Sequence, residues 1–143
     1  MIEIRKPTEA DYPFVEKLMV SNMLPYYQRH RMQFSKIMYA YAYKLSENYI
    51  ITHNGVEVGF MRLDQDKKSL HIADLQVSWW MRNAGVGTFA LEFVHALAKE
   101  RKLKFVTLHV FNDNPAANLY FRNGYRWIMG QDDGPLRKMV REN

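Results

Sequence analysis

The chain has 143 residues, 48% of them hydrophobic and 14% aromatic, so it can bury a sizeable core and is not expected to be disordered. It contains no cysteine, which excludes disulfides, thiolate metal sites and a cysteine nucleophile. An excess of 20 Lys and Arg over 15 Asp and Glu gives a net charge of +5, which favours anionic ligands but is equally typical of a basic soluble protein.

The N-terminal segment predicts a strand followed by a helix. Ile2–Arg5 alternates as strands do, and Thr8 with the acids after it is typical of a helix start. Pro25 is expected to interrupt the helical pattern. The first residues resemble neither a signal nor a transit peptide, and no apolar run approaches the roughly 18 residues of a membrane span. A cytoplasmic protein with one domain over residues 1–143 is therefore expected.

The middle of the chain predicts one or two helices and then an antiparallel meander. The helical stretch Tyr26–Leu45 is unusually rich in tyrosine. The β-rich residues from Tyr49 lead into Asn54-Gly55, which is a strong hairpin signal because both turn residues need positive φ. Val56–Arg62 continues the second strand, and Leu70–Val77 is predicted as the third.

The remaining residues predict two helices alternating with strands. Gly85–Arg101 has apolar residues at helical spacing, and Phe105–Val110 is a nearly continuous apolar strand. Pro115–Arg122 is predicted as a short helix that Gly124 ends. Two further strands are predicted at Tyr125–Met129 and Leu136–Val140, joined by a turn at Asp132-Asp133-Gly134-Pro135.

The segment Val77–Thr88 joins a strand to a helix and places Gly85 and Gly87 at the helix mouth. The first turn of a helix has unpaired N–H donors and a positive dipole end, so this loop is a candidate phosphate site. The stretch Gly85–Ala90 also matches the dinucleotide fingerprint G-x-G-x-x-A, but it follows a meander and leaves room for only one strand–helix–strand crossover. A phosphate-loop NTPase is excluded because Gly-Lys-Ser/Thr is missing.

Two motifs together resemble the GNAT superfamily of acetyltransferases, and the resemblance covers essentially the whole chain. Arg82–Gly87 fits that family's Q/R-x-x-G-x-G/A loop, and Asn114–Tyr125 resembles its second signature, an Asn/Ala/Leu-Tyr helix followed by Gly and an aromatic residue. The resemblance implies an α/β fold with a mixed, mostly antiparallel sheet of about seven strands and helices on both faces. It also implies acetyl-CoA as acyl donor. The spacing of the histidines, in turn, leads us to expect no metal.

The resemblance assigns donor-binding positions on the third strand, in the glycine loop and in the second signature. These positions are Leu75, Gln76, Val77, Arg82, Asn83, Ala84, Gly85, Val86, Gly87, Thr88, Asn114 and Tyr120. Tyr120 would act as general acid at the leaving thiolate, and a strand N–H, that of Val77, would polarise the thioester carbonyl. Asn112 and Asn118 are rivals of Asn114, so which asparagine contacts coenzyme A stays open.

The general base is less determined. His71 lies six residues before Val77, where some family members keep an acid–base residue, and its usual pKa suits the role. An ordinary strand histidine is the competing interpretation. Asp74 is expected on the opposite face of the strand, and deprotonation through water is also common in the family. The five histidines show no metal-ligand spacing.

The predicted function is transfer of an acetyl group from acetyl-CoA to a primary amine by direct attack. The acceptor, a small molecule or a peptide, is not identified, and neither nucleic acid nor membrane is expected as partner. Homodimers are frequent in the family. A catalytically idle CoA-binding or regulatory module with the same fold is the alternative function. The residues Tyr26, Tyr27, Tyr39, Tyr41 and Tyr43 suggest an aromatic amine pocket, although tyrosines at helical spacing are more often core and rim.

Overall fold

The computed structural model describes residues 1–128 and 134–143. Met129, at the end of one predicted strand, lies outside these residues, as do Asp132 and Asp133 of the predicted turn. The described elements, in chain order, are β1 (Ile2–Arg5), α1 (Tyr12–Arg29), α2 (Lys36–Leu45), β2 (Glu47–His53), β3 (Val56–Gln65), β4 (Ser69–Val77), α3 (Val86–Glu100), β5 (Phe105–Phe111), α4 (Ala116–Arg122), β6 (Arg126–Trp127) and β7 (Leu136–Glu142).

The seven described strands form one sheet in the order β1-β2-β3-β4-β5-β7-β6. The pairs β1–β2, β5–β7 and β6–β7 are antiparallel, whereas β4 and β5 run parallel. The β4–β5 register places Ser69–Ile72 opposite Phe105–Leu108, although β4 continues to Val77. A mixed, mostly antiparallel seven-stranded sheet was predicted from the sequence and is confirmed.

The chain divides into two compact units, which are described separately. The first unit contains Met1–Arg62 and Asp74–Val86. Its core combines one face of α1 with residues of β2 and β3, and the buried members are Val15, Leu18, Met19, Ile50 and Phe60. The single domain over residues 1–143 stays a prediction.

The second unit contains Leu63–Ala73 and Gly87–Asn143. Within it, α3 buries residues that recur every three or four positions, as an amphipathic helix does, and β5 buries Val106 and Leu108. The fully buried residues of α3 in this unit are Ala90, Leu91, Val94 and Ala98. Among the described helices, none has the length and apolar character needed to cross a membrane.

The β2–β3 turn is the predicted hairpin. Asn54 has φ +51° and Gly55 has φ +82°, which is the left-handed backbone that this turn type requires. The local sequence was therefore sufficient to predict this turn.

The expected interruption at Pro25 is wrong, because α1 continues through Pro25 to Arg29. Proline removes one helical hydrogen bond and crowds the carbonyl four residues earlier, at a cost of about 3 kcal/mol. Met23 and Tyr27, on either side of the proline, both pack against the first unit's core. This packing offsets the local cost and keeps the last turn helical.

Candidate active site

The loop from β4 to α3 begins with a fixed turn. Ser78 donates its backbone N–H to the Val58 carbonyl at 2.8 Å, and Trp79–Met81 forms a short 3₁₀ helix. Asn83 and Gly85 then take left-handed backbone conformations, with φ of +64° and +81°. These two residues lie three positions and one position before Val86, the first residue of α3. Their left-handed conformations turn the chain into the helix.

The two glycines of the loop have different surroundings. A Cβ at Gly85 would meet nothing within 4 Å, so open space lies beside this residue. A Cβ at Gly87 would lie 2.7 Å from Leu119 Cδ2, so Gly87 also permits close packing of α3 against α4. Sequence analysis assigned both glycines to phosphate approach. The open side of Gly85 agrees with that interpretation, whereas Gly87 has a packing role that the sequence did not indicate.

The start of α3 fits an anionic diphosphate. A helix of 15 residues leaves its first backbone N–H groups without helical acceptors and carries the positive end of the helix dipole there. The Arg82 side chain, four residues before the helix, is exposed and adds a positive charge to the same loop. Since Gly85 has no side chain, the backbone is accessible from its open side.

The end of β4 lies unusually close to β3. A Cβ on Gly59 of β3 would lie 2.5 Å from the Gln76 carbonyl oxygen, a distance that real side chains do not adopt, so only glycine fits there. The Gln76 carbonyl therefore faces β3. Because a trans peptide holds its C=O and N–H in opposite directions, the N–H of Val77 points away from β3.

Asp74, Arg62 and Tyr39 form a paired polar cluster in the first unit. Asp74 Oδ2 accepts hydrogen bonds from Arg62 Nε at 2.9 Å and from the Tyr39 hydroxyl at 2.7 Å. The Arg62 and Asp74 side chains are only 15% and 9% exposed. Burial and, secondarily, the Asp74 charge raise the pKa of Tyr39. This oxygen of the carboxylate is thus occupied by hydrogen bonds from an arginine and a neutral phenol.

The tyrosines predicted to line an amine pocket do not all converge. Tyr27 stacks on Phe34 with ring centroids 5.9 Å apart, and Phe34 lies 6.0 Å from Tyr39, so these three rings form one aromatic cluster. Tyr43 instead packs edge-on against Tyr12. Tyr41 is 64% exposed, so it lies outside the cluster.

Tyr120 lies in the second unit on α4 and is 7% exposed. Its ring meets Tyr125 edge to face at a centroid distance of 5.7 Å, and the Tyr125 hydroxyl lies 2.8 Å from His95 Nε2. Burial and the positive charge of Arg141 lower the pKa of His95 to about 4, so its imidazole is neutral at physiological pH. Burial raises the pKa of Tyr125. Tyr120 is therefore packed against a neutral hydrogen-bonded pair.

The three candidate asparagines line one groove of about 360 Å³ in the second unit, together with Trp127. Asn114 Oδ1 accepts the backbone N–H of Ala116 at 2.9 Å, so its oxygen is used in holding the first turn of α4. Asn112 and Asn118 are exposed. This hydrogen bond does not involve the amide nitrogen of Asn114, which can donate to a ligand.

His71 lies in the second unit with its Nδ1 atom 2.7 Å from Thr107 Oγ1. Its ring meets His109 edge to face at 5.2 Å. The Thr107 contact restricts the orientation of the His71 ring. Within residues 1–128 and 134–143, no three His, Cys, Asp or Glu side chains are grouped closely enough to hold a metal ion.

Sequence analysis missed several side chains that shape the site. It assigned a role to the backbone of Gln76 but not to its buried side chain, and it assigned none to Asn22, Arg62 or His95. Gln76 shares β4 with Ser69, His71 and Asp74, so its polar residue type alone does not distinguish it. Apart from Asp74, which lies two positions from Gln76, the hydrogen-bond partners of these residues are at least 12 positions away, so no local pattern indicates them.

A family model described as Acetyltransferase (GNAT) family matches residues 14–125. This match includes the β4–α3 loop, α4 and Tyr120. No match was found among curated protein sequences.

Solved structures share the fold at low sequence identity. Ard1 from Thermoplasma volcanium is 18% identical with a TM-score of 0.80, the alignment covering 99% of this chain and 97% of that one. The ribosomal-protein-S18-alanine N-acetyltransferase from Escherichia coli is 20% identical, with a TM-score of 0.76 and coverages of 99% and 94%. PaiA N-acetyltransferase from Thermoplasma acidophilum, solved with coenzyme A, is 18% identical, with a TM-score of 0.77 and coverages of 100% and 99%.

Proposed function

Because the chain belongs to the acetyltransferase (GNAT) family, we propose that it transfers an acetyl group from acetyl-CoA directly to a primary amine. It is an acyltransferase that uses acetyl-CoA as donor. The observation that carries the proposal is the family match over the loop that precedes α3, where Gly85 has φ +81° and open space beside it. Transfer to nitrogen, with both substrates bound together, is the step proposed beyond family membership.

In this proposal, the loop and the first turn of α3 hold the diphosphate of the donor. The proposed hydrogen-bond donors are the backbone N–H groups of Asn83–Thr88. The Arg82 N–H is already donated to the Trp79 carbonyl, so Arg82 contributes its side chain as counter-charge. A hydrogen bond to a charged group contributes roughly 1.5–3 kcal/mol, so a few of these amides suffice for binding. The backbone of Leu75–Val77 is proposed to bind the pantetheine arm.

The backbone N–H of Val77 is proposed to stabilise negative charge on the thioester carbonyl. The N–H of Val77 points away from β3, so it is not used by the neighbouring strand on that side. A fixed N–H aimed at a developing oxyanion costs little reorganisation during the reaction, which is why such donors are effective.

Tyr120 is the proposed general acid. Its phenol has a basicity similar to that of a thiolate, so proton transfer to the leaving sulfur is close to balanced. Edge-to-face packing against Tyr125 restricts the ring, which favours one hydroxyl position. Asn114 is proposed to contact the pantetheine through its amide nitrogen.

Deprotonation of the amine is proposed to involve His71 or a water molecule. Asp74 is disfavoured because its carboxylate is already bound by Arg62 and Tyr39. The acceptor class is a small-molecule or peptide amine. The E. coli neighbour is named for an alanine of a ribosomal protein, and another neighbour is solved as the NatC complex with a Gag peptide, which favours trying peptide N-termini first. A cytoplasmic location and a homodimer stay sequence predictions.

The alternative is a module that binds coenzyme A without catalysis. The enzyme and the idle module are distinguished by an assay of steady-state release of free thiol from acetyl-CoA. The acceptors tested are peptide N-termini, lysine, polyamines and amino acids. Acceleration by at least one amine, with the acetylated product identified by mass, supports the enzyme. Binding of acetyl-CoA without acceleration by any amine in the panel supports the idle module.

A further inference from the structure

The side chain of Asn22 on α1 reaches the end of β4. Asn22 Nδ2 lies 3.2 Å from the Val77 carbonyl oxygen and 3.1 Å from Gln76 Oε1. A backbone carbonyl only accepts hydrogen bonds, so the Asn22 atom that faces it must be the amide nitrogen. The same nitrogen then requires that the oxygen of the Gln76 amide face Asn22. Both amide orientations are therefore fixed by one backbone acceptor.

The hydrogen bonds continue from Gln76 to the buried carboxylate. With its oxygen towards Asn22, Gln76 turns Nε2 towards Asp74 Oδ1, at 3.3 Å. The other Asp74 oxygen accepts from Tyr39 and Arg62. The bonds from Asn22 to Gln76 and from Gln76 to Asp74 run in one direction along the network, and Gln76 is 9% exposed. Such a network specifies a single arrangement, because reversing one member leaves a buried polar atom unpaired.

Val77 presents its N–H and its C=O on the same side of β4. Ser78 donates its N–H to Val58 on β3, so the Val77 carbonyl in that same peptide points away from β3. The close approach of Gly59 to the Gln76 carbonyl turns the Val77 N–H the same way. Asn22 therefore contacts Val77 on the edge of β4 that also carries the proposed donor to the thioester carbonyl.

We propose that Asn22 is a positioning residue that holds the Val77 carbonyl and so aims the Val77 N–H at the thioester carbonyl of the donor. Gln76 and Asp74 orient Asn22, which couples the side chains of α1 and α2 to the donor strand. This inference rests on the proposed acetyl transfer. Asn22 itself touches no reacting atom.

The kinetic test is Asn22→Asp, which keeps the shape of the side chain and replaces the donor by a carboxylate facing a carbonyl. At pH 8, kcat should fall by about 10- to 100-fold, since misplacement of a fixed group by about an ångström has that effect, while KM for acetyl-CoA changes less. The ratio of wild-type to variant kcat should shrink towards pH 5, because a protonated carboxyl regains a donor.

Two variants control this experiment. Ser21→Asp places the same charge on the neighbouring exposed residue of α1 and should leave kcat unchanged. Asn22→Leu removes the donor without a titrating group, so its kcat loss should persist at every pH. Equal pH dependence in Asn22→Asp and Asn22→Leu, or wild-type kcat in either, overturns the positioning role.

A structural test separates this inference from the proposed activity. The carbonyl ¹³C chemical shift of Val77, measured without substrate, should move in Asn22→Asp and Asn22→Leu and stay in place in Ser21→Asp, because only the first two remove a hydrogen bond from that oxygen. An unmoved shift overturns the contact. If wild-type protein transfers no acetyl group but the shift moves, the proposed function fails while the contact stands.

Discussion

His95 Nε2 and the Tyr125 hydroxyl lie 2.8 Å apart in the second unit, and the Tyr125 ring packs edge to face against Tyr120. The imidazole is neutral at physiological pH because burial and Arg141 lower its pKa to about 4. Because burial and Arg141 disfavour protonation of His95 in the folded protein, the free energy of unfolding depends on pH.

Acidification is expected to destabilise the protein through His95. Its pKa is about 6.5 when unfolded and about 4 when folded, so between these values the unfolded chain binds more protons. The free energy of unfolding should therefore fall as pH decreases from 7 to 5, by about 1 kcal/mol after allowance for partial exposure. His95→Gln cannot titrate, and the difference between the two proteins in urea denaturation at both pH values measures the contribution of His95. An identical pH dependence in both would contradict the assignment.

The diphosphate site is tested by a matched pair at Gly85. Asp and Asn both tolerate positive φ and have the same shape, so Gly85→Asp and Gly85→Asn should carry similar backbone strain. Only the first adds a negative charge beside the proposed phosphate position, and it should weaken binding of coenzyme A by about 10- to 100-fold relative to the second. The affinity is measured by quenching of the fluorescence of Trp79 and Trp80, which are exposed on the same loop. Equal affinities would place the diphosphate elsewhere.

Removal of the Tyr120 hydroxyl should slow the chemical step. Tyr120→Phe keeps the ring that packs against Tyr125, so folding and affinity for acetyl-CoA should change little. The loss of a general acid should lower kcat by about 100-fold or more. Steady-state kinetics and a binding titration on the same preparation separate the two effects, and an unchanged kcat would remove Tyr120 from the proposed mechanism.

Arg62 should contribute more to stability than an exposed arginine in a similar pair. Arg62→Ala removes one partner of the buried Asp74 carboxylate, which should lower the free energy of unfolding by about 3 kcal/mol. The control is Arg126→Ala, since Arg126 and Glu142 are paired at 3.4 Å with side chains 63% and 62% exposed. That loss should stay below about 1 kcal/mol. Chemical denaturation of both variants measures the difference, and equal losses would show that Asp74 does not depend on Arg62.

Local sequence was sufficient for some of these features. The hairpin at Asn54-Gly55 was predicted because a requirement for positive φ is visible in the residue type itself. The loop at Gly85 was singled out because two glycines stand at a helix start, and its positive φ was not predicted. The continuation of α1 through Pro25 was not predicted, because it depends on how Met23 and Tyr27 pack on other elements. Packing of this kind routinely outweighs local preference.

The hydrogen bonds that join Asn22, Gln76 and Asp74 could not be predicted from local sequence for the same reason. Asn22 and Val77 are separated by 55 positions, and neither residue type indicates a long-range partner. The packing role of Gly87 could not be predicted either, because it depends on the position of Leu119 on α4. Sequence patterns therefore indicated the candidate loop before α3, and the tertiary structure supplied the contacts of Asn22 at the end of β4.

A calorimetric titration of the protein with coenzyme A tests the central claim most directly, with NAD as the comparison ligand. Saturable association of coenzyme A and no association of NAD is the predicted result, because the exposed amides at the start of α3 are proposed to bind the diphosphate of a thioester donor. No heat with coenzyme A at several temperatures, or saturable binding of NAD alone, would contradict the account.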